Sequence, residues 1–326
     1  MVTAQGLYCP AGDFHIDPWK PVQNAVITHA HADHLRHGSA RYILARPGAP
    51  IAKLRLGGDR EVTPVDYGTR LSLGATTVSL HPAGHILGSA QVRIEYGNRV
   101  WVVSGDYKRQ ADPTCVPFEQ LECDVFVSEA TFAQPVYRWP QTSEVVGEIF
   151  RWWRSNRERG LASVLFCYSL GKSQRVLAEL LAHTNEPVFV HGAIDSLIGA
   201  YRRAGIEMVP TLSIPGDRKA DFSGALILAP PGAAGTPWMR RFGQHATGFC
   251  SGWMGVQGEW RRRGYDCGFV ISDHADWSGL LETCRATNAR RVLLTHGYAD
   301  ALTRHLCEGG IEASALNCSR PADPHW

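Results

Sequence analysis

His29-Ala30-His31-Ala32-Asp33-His34 follows directly on the apolar stretch 25–28, and the reading of the whole chain turns on this run. On a strand, or on the extended loop that leaves one, residues i and i+2 point the same way, so His29 and His31 can grip one ion. Asp33 and His34 can then turn towards a neighbouring site. Ala30 and Ala32 are small enough to permit the close approach. The chain carries 14 His among 326 residues, many of them in short clusters, which points to metal chemistry before any other motif is considered.

Further candidates stand at the ends of expected strands, where a sheet can hold ligands rigidly. His85 lies in His81-Pro82-Ala83-Gly84-His85-Ile86-Leu87-Gly88-Ser89, whose glycines suit a tight loop. Asp106 closes the run 100–105, and His296 follows 292–295 and precedes Gly297. Each alone has a bland reading, since a strand-terminal Asp is usually a turn former and a lone His a satisfied core group. Together with the histidine run they supply enough nitrogen and oxygen ligands for two divalent ions bridged by one carboxylate. That composition suits zinc, with manganese as the alternative. Two such ions lower the pKa of a bridging water and neutralise charge growing on a phosphate, which is the chemistry of phosphodiester hydrolysis. Asp17, in Phe14-His15-Ile16-Asp17-Pro18, either orients a ligating histidine or simply opens an Asp-Pro turn.

A length of 326 residues fits one large domain or two. Hydrophobic residues at 44% and charged residues at 20% are ordinary globular values and argue against a disordered or fibrous chain. No apolar run approaches the roughly 20 residues a bilayer needs, so no transmembrane helix and no membrane partner are expected. The start MVTAQGLYCPAGDF lacks a basic segment and an apolar core, so the expectation is a cytoplasmic protein without a secretory signal. Nine Cys without a C-x-x-C pair read as reduced thiols. Lys plus Arg number 33 against 31 Asp plus Glu, so no global basic field announces nucleic acid.

Along the chain, the first third reads as short strands at 25–28, 77–80, 91–96, 100–104 and 124–128 separated by Gly/Pro turns. From residue 142 the pattern alternates: helix 142–158, strand 163–167, helix 172–183, strand 187–190 and helix 194–203, the sign of a parallel α/β unit. Strand character returns at 268–272, followed by helix 277–287, strand 291–294 and helix 299–308, stopped by Gly309 and Gly310. The expectation is an α/β domain at 141–255 inserted into a sheet domain made of 1–140 and 256–326.

The order Asp17, His29-x-His31-x-Asp33-His34, His85, Asp106 resembles the first four motifs of the metallo-β-lactamase fold. Glu129 in Ser128-Glu129-Ala130-Thr131-Phe132, His274 in Ile271-Ser272-Asp273-His274-Ala275-Asp276, and His296 in Leu294-Thr295-His296-Gly297 are similar to motifs A, B and C of its β-CASP branch, which processes nucleic acids. The segments GLYCPAGDF, PAGHILGSAQV, WVVSGDYK and YRWP look like those of the bacterial ligase-associated DNA damage response exonucleases. The resemblance implies an α/β fold, a metallo-β-lactamase αββα sandwich carrying an inserted α/β β-CASP domain. It implies a first ion on His29, His31 and His85, a second on Asp33, His34 and His296, and Asp106 bridging. His274, positioned by Glu129, would protonate the leaving oxygen, so the implied catalytic set is His274, Glu129, Asp33 and Asp106. The implied activity is a metal-dependent DNA exonuclease trimming single strands or duplex ends in repair, alongside an ATP-dependent DNA ligase and a helicase. A His at motif C resembles the RNA-processing members, which keeps a β-CASP ribonuclease as the alternative. The metal motif alone also permits a small-molecule ester or thioester hydrolase, against which the insertion and the Glu129/His274 pair argue.

For substrate, Tyr168-Ser169-Leu170-Gly171-Lys172-Ser173-Gln174 joins an apolar strand to a helix, and amides at a helix start with Lys172 beside them can receive a phosphate. Ser169, Gly171, Lys172 and, after another strand, Ser251 are the candidate phosphate contacts; the bland reading is a capped helix with a solvated Lys. This is not a Walker loop, and ATP is not inferred. Arg240-Arg241 and Arg261-Arg262-Arg263 lie near Trp238, Trp253 and Trp260 and read either as a strand-binding surface or as solvated faces.

Overall fold

The computed structural model describes residues 1–58, 60–214, 220–295 and 297–316. The chain divides into two compact units, one made of 1–135 with 274–326, the other of 136–273.

The first unit holds two sheets. One has six strands in the order Val2–Thr3, Gly6–Cys9, Phe14–Ile16, Asn24–Val26, Arg41–Ala45 and Glu61–Val65, with the first two pairings antiparallel and the rest parallel. The other has seven, in the order Glu312–Ala315, Arg291–Thr295, Val125–Glu129, Arg99–Val103, Ala90–Tyr96, Thr76–Pro82 and Leu71–Leu73. Its first three pairings are parallel and the rest antiparallel. The five strands expected in the first third are present, with ends displaced by one or two residues. Most of the six-stranded sheet was not anticipated. Its first four strands are two to four residues long, too short for a period-2 pattern to register, and Glu61–Val65 contains Pro64, which is tolerated because this strand lies on the edge.

Strict alternation along the seven-stranded sheet gives it two buried faces. Val125, Val127 and Leu293 join Phe14, Ile16, Val26 and Ile43 of the six-stranded sheet in one apolar cluster. Phe126, Val292 and Leu294, one residue out of phase, pack instead with Trp277, Leu280, Leu302 and Leu306 of the helices Trp277–Ala286 and Ala299–Glu308.

The second unit is the expected parallel α/β arrangement. Six strands run parallel in the order Thr211–Ser213, Val188–Val190, Leu226–Ala229, Ala162–Phe166, His245–Cys250 and Cys267–Phe269. Helices Thr142–Glu158, Lys172–Glu179 and Gly192–Arg203 alternate with them in the sequence. The strand expected at 268–272 is only Cys267–Phe269, because its pairing with His245–Cys250 ends at Cys250 opposite Phe269. Residues 256–273 belong to this second unit, to which that pairing ties 267–269. Among the described residues no helix is long and apolar enough to cross a membrane.

Candidate metal centre

The run 29–34 leaves the strand Asn24–Val26 two residues earlier than its apolar character suggests. The reason is local chemistry. The amide of Thr28 donates not to a neighbouring strand but to Asp17 Oδ1, at 2.8 Å. The chain then turns, with the amides of His34 and Leu35 both donating to the His31 carbonyl. Asp17 itself sits at φ +44, a conformation that Asp and Asn adopt more readily than most residues.

Four ligand-type side chains converge first. His31 Nδ1 lies 3.0 Å from His29 Nε2 and 3.0 Å from His85 Nε2. Asp106 Oδ2 is 3.5 Å from His29 Nε2 and 3.8 Å from His85 Nε2. A second group shares the same Asp106 oxygen: His34 Nε2 lies 3.3 Å from it and 3.3 Å from Asp33 Oδ2. Within each group all the ligand atoms lie within 4.8 Å of one another. His296 lies outside the described residues.

The loops that carry these residues are fastened to one another. The hydroxyl of Ser89 accepts from the amides of His85 and Ile86, closing the His85 loop, and the amide of Ala90 donates to the Thr28 carbonyl. Gly84, at φ +71, lets this loop lie against the Lys108 carbonyl, 2.5 Å from where a Cβ would stand. Gly105, at φ +57, does the same beneath Asp106, where a Cβ would meet Thr28 Cβ at 2.6 Å.

The protons of two histidines are fixed from behind. Asp17 Oδ2 accepts from His34 Nδ1 at 2.6 Å and from the Thr28 hydroxyl at 2.6 Å. The Thr28 oxygen in turn lies 3.1 Å from His29 Nδ1. With Nδ1–H donated in both rings, each Nε2 presents a lone pair, and His34 Nε2 faces two carboxylate oxygens. Lone pair against anion is repulsive, and a cation between them reverses its sign; on this ground the donor set fits divalent ions. Burial pushes the His29 imidazole well below its ordinary value, with His34 and His85 adding to the shift, so it is neutral, the form that ligates. Burial works to raise the Asp33 and Asp106 carboxyls; when His34 carries a proton on Nε2 as well, its charge outweighs this and holds both below the ordinary carboxylate value, a role that a bound cation takes over once His34 is the neutral ligand. The buried His and Asp groups can therefore bind metal ions.

Glu129 ends the strand Val125–Glu129 and is fully buried. Its Oε1 accepts from the amide of Tyr107 at 2.8 Å, and His274 Nδ1 lies 3.0 and 2.8 Å from its two oxygens. The His274 ring is 4.8 Å from that of His85, centre to centre, and one atom each of Asp106, Glu129 and His274 fall within 4.8 Å. Thr28 and Ser89, which order the ligands, carried no signal in the sequence beyond adjacency to the ligand runs.

In the inserted unit three of the four candidate phosphate contacts, Gly171, Lys172 and Ser251, are engaged locally, and of Ser169 the carbonyl is. The Gly171 amide donates to Gln174 Oε1, whose amide nitrogen donates to the Ser169 carbonyl. Lys172 is buried, 3.1 Å from Asp273 Oδ2, with its ammonium over the Tyr168 ring. Ser251 is buried and accepts from the Trp253 amide. Arg262 and Arg263 both pair with Glu259, while Arg241 and Arg261 lie over Trp238 and Trp260.

No family model matches the chain. Over 320 residues it is 33% identical to the probable DNA ligase of Opitutus terrae, a match that takes 96% of this chain but 30% of that protein. It is 26% identical over 137 residues to transcription termination factor FttA of Methanocaldococcus jannaschii, covering 40% of this chain and 21% of that one. It is 28% identical over 122 residues to endoribonuclease YSH1 of Gibberella zeae, covering 36% and 14%. The chain thus spans less than a third of the length of these curated relatives. Among solved structures, a protein of unknown function from Enterococcus faecalis superposes with a TM-score of 0.63 over 91% of this chain and 80% of that one; at 12% identity this concerns the fold alone. The curated relatives are consistent with a metallo-β-lactamase/β-CASP family.

Proposed function

We propose that the chain is a dinuclear metal-dependent nuclease, a DNA exonuclease that hydrolyses phosphodiester bonds in end processing during repair. The first unit would be a metallo-β-lactamase αββα sandwich and the second its inserted β-CASP domain. The observation that carries the reading is the single Asp106 oxygen shared by two ligand groups with the Glu129–His274 pair beside it. His29, His31 and His85 would hold one ion, Asp33 and His34 with His296 the other, and Asp106 would bridge; zinc fits this set best, with manganese next.

Divalent ions bound there supply Lewis acidity towards a phosphate and a water. The chain's own residues do the rest. Asp17 and Thr28 hold His34 and His29 in one tautomer. Glu129 accepts a hydrogen bond from His274 Nδ1–H and stabilises the imidazolium, so the proton that His274 can deliver to a leaving oxygen sits on Nε2. For Ser169, Gly171, Lys172 and Ser251 to receive a phosphate, Lys172 must exchange Asp273 for it, one anion for another at the same ammonium.

Likeness to part of a protein named as a probable DNA ligase supports DNA as substrate and work beside a ligase; its ATP dependence, a helicase partner and a cytoplasmic setting belong to the same proposal through the family resemblance. Likeness to an endoribonuclease supports a second reading, cleavage of RNA. The test replaces His31 or Asp106 with Ala and assays labelled single- and double-stranded DNA and matched RNA with added zinc or manganese. Loss of cleavage is expected, with DNA preferred; undiminished cleavage refutes the ligand assignment, and preference for RNA selects the second reading.

A further inference from the structure

We propose that Arg36 and Arg55, with Trp19 beside them, form a second phosphate-binding subsite on the flank of the metal-ligand loop, holding the nucleic-acid strand away from the bond being cut. The proposal rests on the nuclease reading and adds a place for the substrate to it.

A pocket of about 540 Å³ opens on the first unit, lined by Trp19, Ala32, Leu35, Arg36, His37 and Arg55. This is within the size range of small-ligand sites. Ala32 lies between the candidate ligands His31 and Asp33, so the pocket begins on the loop that carries the metal centre. Trp19 follows the Asp17-Pro18 turn, and Arg55 comes from the last turn of the helix Ala49–Leu56. Three separate segments therefore bring two guanidiniums, an imidazole and an indole to one concavity, and among the described residues no acidic side chain lines it.

The arginines are held for an anion that the chain does not provide. Among the described residues neither Arg36 nor Arg55 has a carboxylate in ion-pair contact, whereas Lys108, Arg109, Arg157 and Lys172, likewise buried or half-buried, each have one, and Arg241 lies instead over the Trp238 ring. Arg36 Nε is shut off from solvent without a hydrogen-bond partner, although the residue is half-buried. A buried N–H left unpaired is costly, and turning the guanidinium onto an acceptor in the pocket removes that cost. Arg55 is also half-buried and lines the same pocket.

A planar guanidinium pair matches phosphate oxygens bidentately, and an indole next to it offers a face on which an unpaired base can stack. A free anion would need the arginines alone. A strand whose scissile phosphate lies over Asp106 continues past Ala32, and a neighbouring phosphate then reaches Arg36 and Arg55. The occupant is accordingly a single-stranded segment of the substrate.

The experiment uses the full chain loaded with zinc or manganese and the variants Arg36→Gln, Arg55→Gln, both together, and Arg55→Lys. Anisotropy of a labelled single-stranded oligonucleotide is measured as a function of salt. The double variant is expected to bind at least about tenfold more weakly, and its slope of log affinity against log salt to flatten by about 0.7 for each phosphate that is no longer held. Arg55→Lys should regain most of the slope. Turnover of bis-nitrophenyl phosphate, which carries no second phosphate to place in the pocket, should fall at least about tenfold less than oligonucleotide turnover. Equal losses on both substrates would overturn the subsite and make the arginines supports of the ligand loop. Unchanged affinity and slope would also overturn it, as would displacement by polyglutamate better than by DNA. If the unmodified protein cleaves no diester at all yet the double variant loses salt-sensitive binding, the nuclease reading fails and the binding site stands.

Discussion

Asp17→Asn isolates what the residue behind the metal centre does. Asn tolerates φ +44 as Asp does, so the backbone is kept and only the charge and one acceptor are lost. Asp17 now accepts three hydrogen bonds, from the Thr28 amide on Oδ1 and from the Thr28 hydroxyl and His34 Nδ1 on Oδ2. An asparagine oxygen must stay with the Thr28 amide, because two N–H groups cannot face each other. Its NH2 then points at His34 Nδ1, which has to become the acceptor, and the ring proton moves to Nε2, where a metal ligand needs a lone pair. Restoring the ligating tautomer costs about 1.5–3 kcal/mol, the worth of a charge-assisted hydrogen bond. The expected result is a second-ion affinity lower by about 10–100-fold, the range found for groups that orient metal ligands. His29 donates to Thr28 Oγ1 rather than to Asp17, so the first ion should weaken by less than about tenfold. Competition titration against a chromophoric chelator resolves the two steps, with thermal melting as a control for folding. Two ions held as tightly as before would refute the tautomer argument, and equal weakening of both would show that Asp17 acts on the fold instead.

Glu129→Gln should lower kcat by about 10²–10⁴ at unchanged metal content. The Tyr107 amide keeps the glutamine oxygen, and the NH2 facing His274 Nδ1 makes that nitrogen an acceptor, so the ring loses the stabilised imidazolium form that can give up its Nε2 proton. Single-turnover rates check this, and a fall of less than about tenfold would remove Glu129 from the reaction. Gly105→Ala should destabilise the fold by about 2 kcal/mol or more, from the left-handed backbone and the collision with Thr28, and drop Tm by several degrees. An unchanged Tm would mean that the loop beneath Asp106 relaxes freely.

How much of this was legible depends on how local each signal is. The histidine run could be read because its ligands are adjacent in the chain, and Glu129 and His274, 145 residues apart, could be paired only through resemblance to a family. Thr28 was invisible: a threonine before a histidine is unremarkable until Asp17 Oδ2 is found 2.6 Å from its hydroxyl. Arg36 and Arg55 were missed for the same reason, since a charge without a counter-charge is a fact of tertiary structure. The six-stranded sheet escaped because strands of two or three residues exist only by pairing, and pairing leaves no periodicity to find.

The convergence of residues so far apart follows from strand direction and register. Arg99–Val103, Val125–Glu129 and Arg291–Thr295 are parallel neighbours, so all three end at the same edge of the seven-stranded sheet. Strands lie about 4.8 Å apart, which brings Asp106, three residues beyond the first, close to Glu129 at the end of the second. Val103 pairs with Val127, and Glu129 with Thr295. A slip of one residue in the central strand would push Phe126 into the cluster that now holds Val125 and Val127, and would carry Glu129 to the opposite face, away from His274. The two apolar clusters that hold the sheet together thus help to fix the site as well, since a one-residue slip that turns Glu129 away also takes Phe126 from among the helices.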